Sequence, residues 1–293
     1  AIEAMVAAAA SIAVEYPHMN GLGGDGFWLI SEPGKAPVAI DACGTAAGLA
    51  DSDFYQGLDA IPSRGGKAAL TMAGAVAGWQ KALEISANWQ SSMPLQDLLA
   101  TAISQANWGI EVTQSMSDAS FKTFDELAGD EHFAQFLIKG KALKKGKIVK
   151  LTKLANTLQR LADNGLNDFY HGDIARELAA DLEAAGSPIR LSDFNQYQAN
   201  VVTPLSVSTS KGKLYNLPAP TQGIASLIIL ALYDRVVSQG SSDADMVHLL
   251  IECTKQAFIK RNEYLTDPGR LSVDLDSFLT DEALDEMAAA IKL

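Results

Sequence analysis

PHMNGLGGDG, residues 17–26, lies between an alanine-rich run, AIEAMVAAAASIAVEY at 1–16, and a short apolar run, FWLI at 27–30. Four glycines, at 21, 23, 24 and 26, can adopt positive φ or admit a second backbone at close range, so the chain can turn and pack here with little side-chain bulk. The spacing also satisfies G-x-G-x-x-G, but a dinucleotide fingerprint needs a strand before the glycines and a helix opening after them. The order here is reversed. Residues 1–15 are strong helix formers, whereas 27–30 and VAI at 38–40 read as strands joined by the turn Glu32-Pro33-Gly34. The stretch therefore predicts a helix-to-strand junction.

Outward from that junction, composition sets the bounds. The chain has 293 residues, 48% of them hydrophobic, enough for a full core. Its 23 basic and 35 acidic residues give a net charge of −12, which argues against nucleic acid or an anionic membrane as the main partner. No apolar run reaches the roughly 20 residues of a membrane span. The two cysteines, Cys43 and Cys253, read as structural thiols, which leans toward a reducing, cytoplasmic compartment. The chain opens inside a helical run with neither a cap nor an initiator methionine, so further residues are expected upstream, and a removed leader with periplasmic export is the second reading.

Residues 41–70 are loop-like, rich in Gly, Ala and Asp. Binding residues often sit on such loops, and two features stand out: Asp41-Ala42-Cys43-Gly44-Thr45 directly after a strand, and Arg64-Gly65-Gly66-Lys67 as the local positive cluster. Arg64 reads either as a solvated surface residue or as a carboxylate anchor, since a guanidinium matches that geometry bidentately. Apolar residues at helical spacing predict helices over 75–85 and 95–108. Seven lysines between 139 and 153, without aromatic partners, read as a solvated hairpin or loop. A short amphipathic helix is expected at 154–164. His171 ahead of Gly172-Asp173 reads as a cap or orienting group at a helix start. Residues 201–207 and 213–217 alternate like two antiparallel strands, LPAPTQG at 217–223 opens a helix at 224–233, and a long helix follows at 245–264. With no linker and no repeat, residues 1–293 read as a single domain.

The four histidines, at 18, 132, 171 and 248, show no metal-binding spacing, so neither a metal nor another cofactor is expected. G-x-S-x-G and G-x-x-x-x-G-K-[ST] are absent. From the residues alone the chain is an α/β protein with a glycine-dense junction and one plausible anion-binding loop.

Six blocks, in order along nearly the whole chain, resemble the large subunit of the γ-glutamyltranspeptidase family, a branch of the N-terminal nucleophile hydrolases. They are EYPHMNGLGGDGFWLI at 15–30, MAGAVAGW at 72–79, DFYHGDIARELAADLEAAG at 168–186, LSDFNQYQANVVTPL at 191–205, LPAPTQG at 217–223 and HLLIECTKQAFIKRNEYLTDP at 248–268. The resemblance implies an α+β fold, a four-layer αββα sandwich completed by a second chain, with a largely helical remainder. It also implies a precursor that cleaves itself. The nucleophile would be a threonine at the start of the small subunit, its own α-amino group serving as base, so no catalytic residue is expected in this chain. The small subunit from the same precursor is then the expected partner, within one heterodimer or a dimer of heterodimers.

One departure bears on the substrate. The resemblance implies that γ-glutamyl enzymes carry an Arg-Glu pair after the aspartate of the second strand, the arginine gripping the glutamyl α-carboxylate. Here Cys43 and Gly44 follow Asp41-Ala42. Losing a buried charge-assisted pair costs about 2–5 kcal/mol, or roughly tens- to thousands-fold in affinity. That argues against a γ-glutamyl substrate held in the usual way and points to the amidohydrolase-like branch, which includes oxamate amidohydrolase-like and cephalosporin acylase-like proteins. The expected activity is hydrolysis of a small carboxylate-bearing amide. Expected substrate-binding residues are Arg64, Cys43, Gly44 and Thr45, with His18, Asn20 and Asp25 behind them. The alternatives are a genuine γ-glutamyltransferase or glutathione hydrolase, and an inactive binding protein on the same fold.

Overall fold

The computed structural model describes residues 1–89, 93–129, 131–238 and 242–291, without the side chains of 131 and 132. His132, one of the histidines weighed for a metal pair, thus lies outside the described side chains. In chain order the elements are α1 (Ile2–Glu15), β1 (Gly26–Ile30), β2 (Val38–Ala42), α2 (Ala75–Ala87), α3 (Leu95–Trp108), β3 (Ile110–Glu111), α4 (Gln114–Leu127), β4 (Ile148–Val149) and α5 (Thr152–Asn164). Then come α6 (Asp168–His171), α7 (Asp173–Ala184), α8 (Leu191–Gln196), β5 (Asn200–Val202), β6 (Leu205–Thr209), β7 (Gly212–Asn216), α9 (Gly223–Val236), α10 (Asp243–Tyr264) and α11 (Asp281–Ala289).

Two compact units emerge: residues 1–26 with 42–199, and residues 27–41 with 200–293. Each draws on two separate stretches, so no composition boundary marks either in the sequence. In the first unit α1, α3 and α5 pack side by side. Alanines make this possible: Ala10, Ala102, Ala106 and Ala155 are fully buried, and their small side chains let the helices approach while Val6, Leu99 and Leu158 fill the space between. Helix α1 stops at Tyr16 because Pro17 has no N–H to donate and disfavours helical geometry in the residue before it.

The second unit holds a three-stranded sheet in the order β1-β2-β5. Strands β2 and β5 run antiparallel with Ile40 opposite Val201 and Asp41 opposite Asn200. It also holds the hairpin β6–β7, with Val207 opposite Leu214. Helix α9 packs on that hairpin and against α10 and α11, burying Ile224, Leu227, Ile228 and Leu232 with Cys253, Leu284 and Met287.

Three local expectations are corrected. Residues 201–207 are not one strand: Pro204 cannot donate to a ladder, so Asn200–Val202 joins β2 while Leu205–Thr209 joins β7. Helix α5 begins at Thr152 rather than 154. His171 does not cap the following helix; it ends α6, and Asp168 Oδ1 accepts the Asp173 N–H at 3.1 Å instead. A Cβ at Gly172 would displace that carboxylate and lie 2.9 Å from the Asp168 Cα, which favours glycine there. The lysine-rich stretch does form turns, and its strand β4 pairs with the distant β3.

Candidate functional site

Three short backbone segments, 24–26, 42–45 and 72–75, meet in the first unit with almost no side chain between them. The Gly24 carbonyl accepts the N–H groups of Gly74 at 2.9 Å and Ala75 at 2.8 Å, tying the glycine junction to the start of α2. The Thr45 carbonyl accepts the Met72 N–H at 2.9 Å. A Cβ on Gly74 would lie 1.9 Å from the Ala42 oxygen, and one on Gly44 would lie 1.8 Å from the Met72 oxygen. Glycine is required at 44 and 74 for space. Of the four junction glycines none has positive φ, and a Cβ would meet nothing at Gly23 and no atom closer than 3.4 Å at Gly21, Gly24 or Gly26, so neither backbone conformation nor space requires glycine there.

Asp25 braces the loop after β2. Its Oδ1 accepts the Gly44 N–H at 2.7 Å, and its Oδ2 accepts the Cys43 thiol at 3.7 Å. From the other side the Tyr197 hydroxyl donates to the Cys43 carbonyl at 3.0 Å. Tyr170 completes the support: its hydroxyl donates to the Ala73 carbonyl at 2.7 Å and accepts the Ala77 N–H at 2.9 Å, and its ring lies 5.6 Å from that of Tyr197. Burial raises the pKa of the Tyr170 hydroxyl above its usual value, so it stays a neutral donor and acceptor. The loop therefore presents the Asp25 carboxylate, the half-buried Cys43 thiol and an exposed Thr45 on a fixed backbone. These groups can hydrogen-bond a small molecule. Tyr170 and Tyr197 were not legible as site residues, because nothing in FYHG or FNQYQ says which polar atom each hydroxyl will reach.

The remaining sequence candidates fall elsewhere in the same unit. His18 Nε2 lies 3.2 Å from Ser115 Oγ, which also bonds the Tyr16 hydroxyl at 2.7 Å. Its Nδ1 is enclosed and has no hydrogen-bond partner among the described residues. Burial holds the His18 pKa below its usual value, which favours a neutral ring. Arg64 forms an ion pair with Glu126 and, with His18, lines a cavity of about 190 Å³. Asn20 is on the wall of another cavity, of about 500 Å³. So Asp25, Cys43, Gly44 and Thr45 share one bonded cluster, His18 and Arg64 share a second place, and Asn20 lines a cavity whose wall includes Met72 and Ala73, next to the first. Among the described residues no group of three His, Cys, Asp or Glu side chains is arranged to hold a metal ion.

The sequence profile described as Gamma-glutamyltranspeptidase matches residues 1–293. The chain belongs to the γ-glutamyltranspeptidase family. This family member is 47% identical over 293 residues to the oxamate amidohydrolase proenzyme of Klebsiella pneumoniae, covering 99% of this chain and 56% of that protein. Among solved structures it resembles the gamma-glutamyltranspeptidase of Pseudomonas nitroreducens complexed with L-DON, with a TM-score of 0.84 and 29% identity over 100% of this chain and 88% of that one. It also resembles the cephalosporin acylase of Bacillus halodurans, with a TM-score of 0.90 and 27% identity over 100% of this chain and 55% of that one. The chain spans about half the length of the curated relatives it matches. Its fold is that of the N-terminal nucleophile hydrolases of this family, 53% helical and 11% strand, as the resemblance implied.

Proposed function

We propose that the chain is the large subunit of a self-processing amidohydrolase of the γ-glutamyltranspeptidase family, acting on a small carboxylate-bearing amide such as oxamate. The two compact units serve together as one subunit, and the small subunit from the same precursor supplies a threonine nucleophile at its new N-terminus. The threonine Oγ attacks the amide carbonyl while its α-amino group takes the hydroxyl proton and passes it to the departing nitrogen. Ammonia leaves, and water then cleaves the acyl ester, returning free carboxylate and threonine. The loop 43–45 braced by Asp25 forms part of the substrate wall. Arg64 stands with His18 apart from that loop, so its proposed role as the cation for the substrate carboxylate requires the side chain to leave Glu126 and turn toward the loop.

The observation that carries this reading over γ-glutamyl transfer is the contact between Gly44 and Met72. A backbone that leaves no room for a Cβ at 44 cannot present a glutamate there, so the Arg-Glu pair implied for γ-glutamyl enzymes has no place on this loop. The 47% identity to an oxamate amidohydrolase proenzyme supports the same branch. The test is to express the complete precursor and measure intact masses, the N-terminal sequence of the smaller chain, and ammonia release from oxamate. Two chains, an N-terminal threonine and ammonia release are expected. An uncleaved, inactive precursor would instead leave a binding protein on this fold.

A further inference from the structure

The cavity on which Asn20 lies is not used by the chemistry above. At about 500 Å³ it is of the size that holds small ligands, far beyond the water-sized voids normal in a packed interior. Its walls are apolar: Leu22, Phe136, Leu154, Leu178, Leu182 and Phe194 all face it. At its edge stands Lys153, exposed and with no ion pair among the described residues. Lys153 is the last of the seven lysines that begin at 139, and the other six are likewise exposed and without an ion pair among the described residues. In a chain of net charge −12 this is a dense local block of positive charge, and it ends at the mouth of an apolar cavity. Lys153 also sits in the first turn of α5, whose N-cap residue Leu151 provides no side-chain cap, so the helix dipole adds to the attraction for a negative group.

We propose that this cavity binds an anionic amphiphile, a monocarboxylate with a medium-length aliphatic tail. The tail fills the cavity lined by Leu154 of α5 and by Leu178 and Leu182 of α7, and the carboxylate rests at Lys153. The lysine block draws the anion toward an otherwise acidic protein. The cavity wall includes Met72 and Ala73, of the segment bonded to the 43–45 loop, but the binding tested below does not depend on the proposed amidase activity.

The test is calorimetric titration of the full-length protein with decanoate, decanol and decyltrimethylammonium. Decanoate binds saturably at one site, more tightly than decanol, and the cation binds weakest. Lys153→Glu, an exposed change compatible with folding, weakens decanoate about tenfold and leaves decanol unchanged. Raising salt weakens decanoate in the same direction. Leu182→Trp, which fills the cavity, removes binding of both; if that variant does not fold, the Lys153→Glu comparison decides. No saturable decanoate binding, binding of the cation as tight as of the anion, or decanoate affinity unchanged by Lys153→Glu would each overturn the proposal.

Discussion

Gly44 sits so close to Met72 that a Cβ on it would fall 1.8 Å from the Met72 carbonyl oxygen. The two segments are also stitched by the Met72 N–H to the Thr45 carbonyl, so neither can retreat without losing that bond. Gly44→Ala is expected to cost about 2–3 kcal/mol, at the upper end of ordinary single substitutions, read as a lower urea midpoint. Installing an Arg-Glu pair by Cys43→Arg with Gly44→Glu is expected to disrupt the loop rather than create γ-glutamyl activity. A well-folded double variant that hydrolyses a γ-glutamyl anilide would refute the steric argument.

Tyr170 is buried and satisfies two backbone groups with one hydroxyl. Tyr170→Phe leaves the Ala73 carbonyl and the Ala77 N–H unpaired, with an expected loss of about 2–3 kcal/mol. Because the folded pKa is raised above the unfolded value near 10, this group's contribution is complete below about pH 10 and is lost as pH rises beyond it. Urea midpoints between pH 8 and pH 11 should therefore fall at the alkaline end in the wild type. The fall should be smaller in Tyr170→Phe, and an identical pH dependence in both would remove Tyr170 as its source.

Arg64 pairs with Glu126, and the proposal asks it to trade that partner for a substrate carboxylate. Arg64→Ala should raise KM for a carboxylate-bearing amide by about tenfold or more with little change in kcat, whereas Glu126→Ala, which frees the guanidinium, should lower KM. An unchanged KM in both variants would take Arg64 out of the site.

Cys253 lies fully buried among Leu227, Ile228 and Leu232 in the core of the second unit. Burial pushes its thiol up to about 11, which leaves almost no thiolate at neutral pH. Iodoacetamide at pH 7.5 should leave Cys253 unmodified in the native protein and alkylate it in urea, as read by peptide mass spectrometry.

Much of this architecture was legible in the residues. The helix at 1–15, the strands on either side of Glu32-Pro33-Gly34 and the helices at 75 and 95 follow from helix formers, apolar spacing and turn residues, and those expected at 224 and 245 begin at 223 and 243. What was not legible depends on partners far along the chain. That 200–202 leaves 205–209 to join β2 depends on which edge is open, and Pro204 marks only the break. Asp25 could be named as a polar neighbour of the site, but that its carboxylate would hold Gly44 from 19 residues away is a tertiary fact. Likewise Arg64 was legible as the local cation, while its pairing with Glu126 in α4 was not.

Amidohydrolase and γ-glutamyltransferase activity are separated by one comparison on the processed protein. That comparison sets kcat/KM for ammonia release from oxamate against kcat/KM for p-nitroaniline release from γ-glutamyl-p-nitroanilide. Oxamate is expected to be preferred by at least about 30-fold, the low end of what a lost Arg-Glu grip costs. Preference for the γ-glutamyl anilide, with acceleration by an added acceptor peptide, would contradict that expectation.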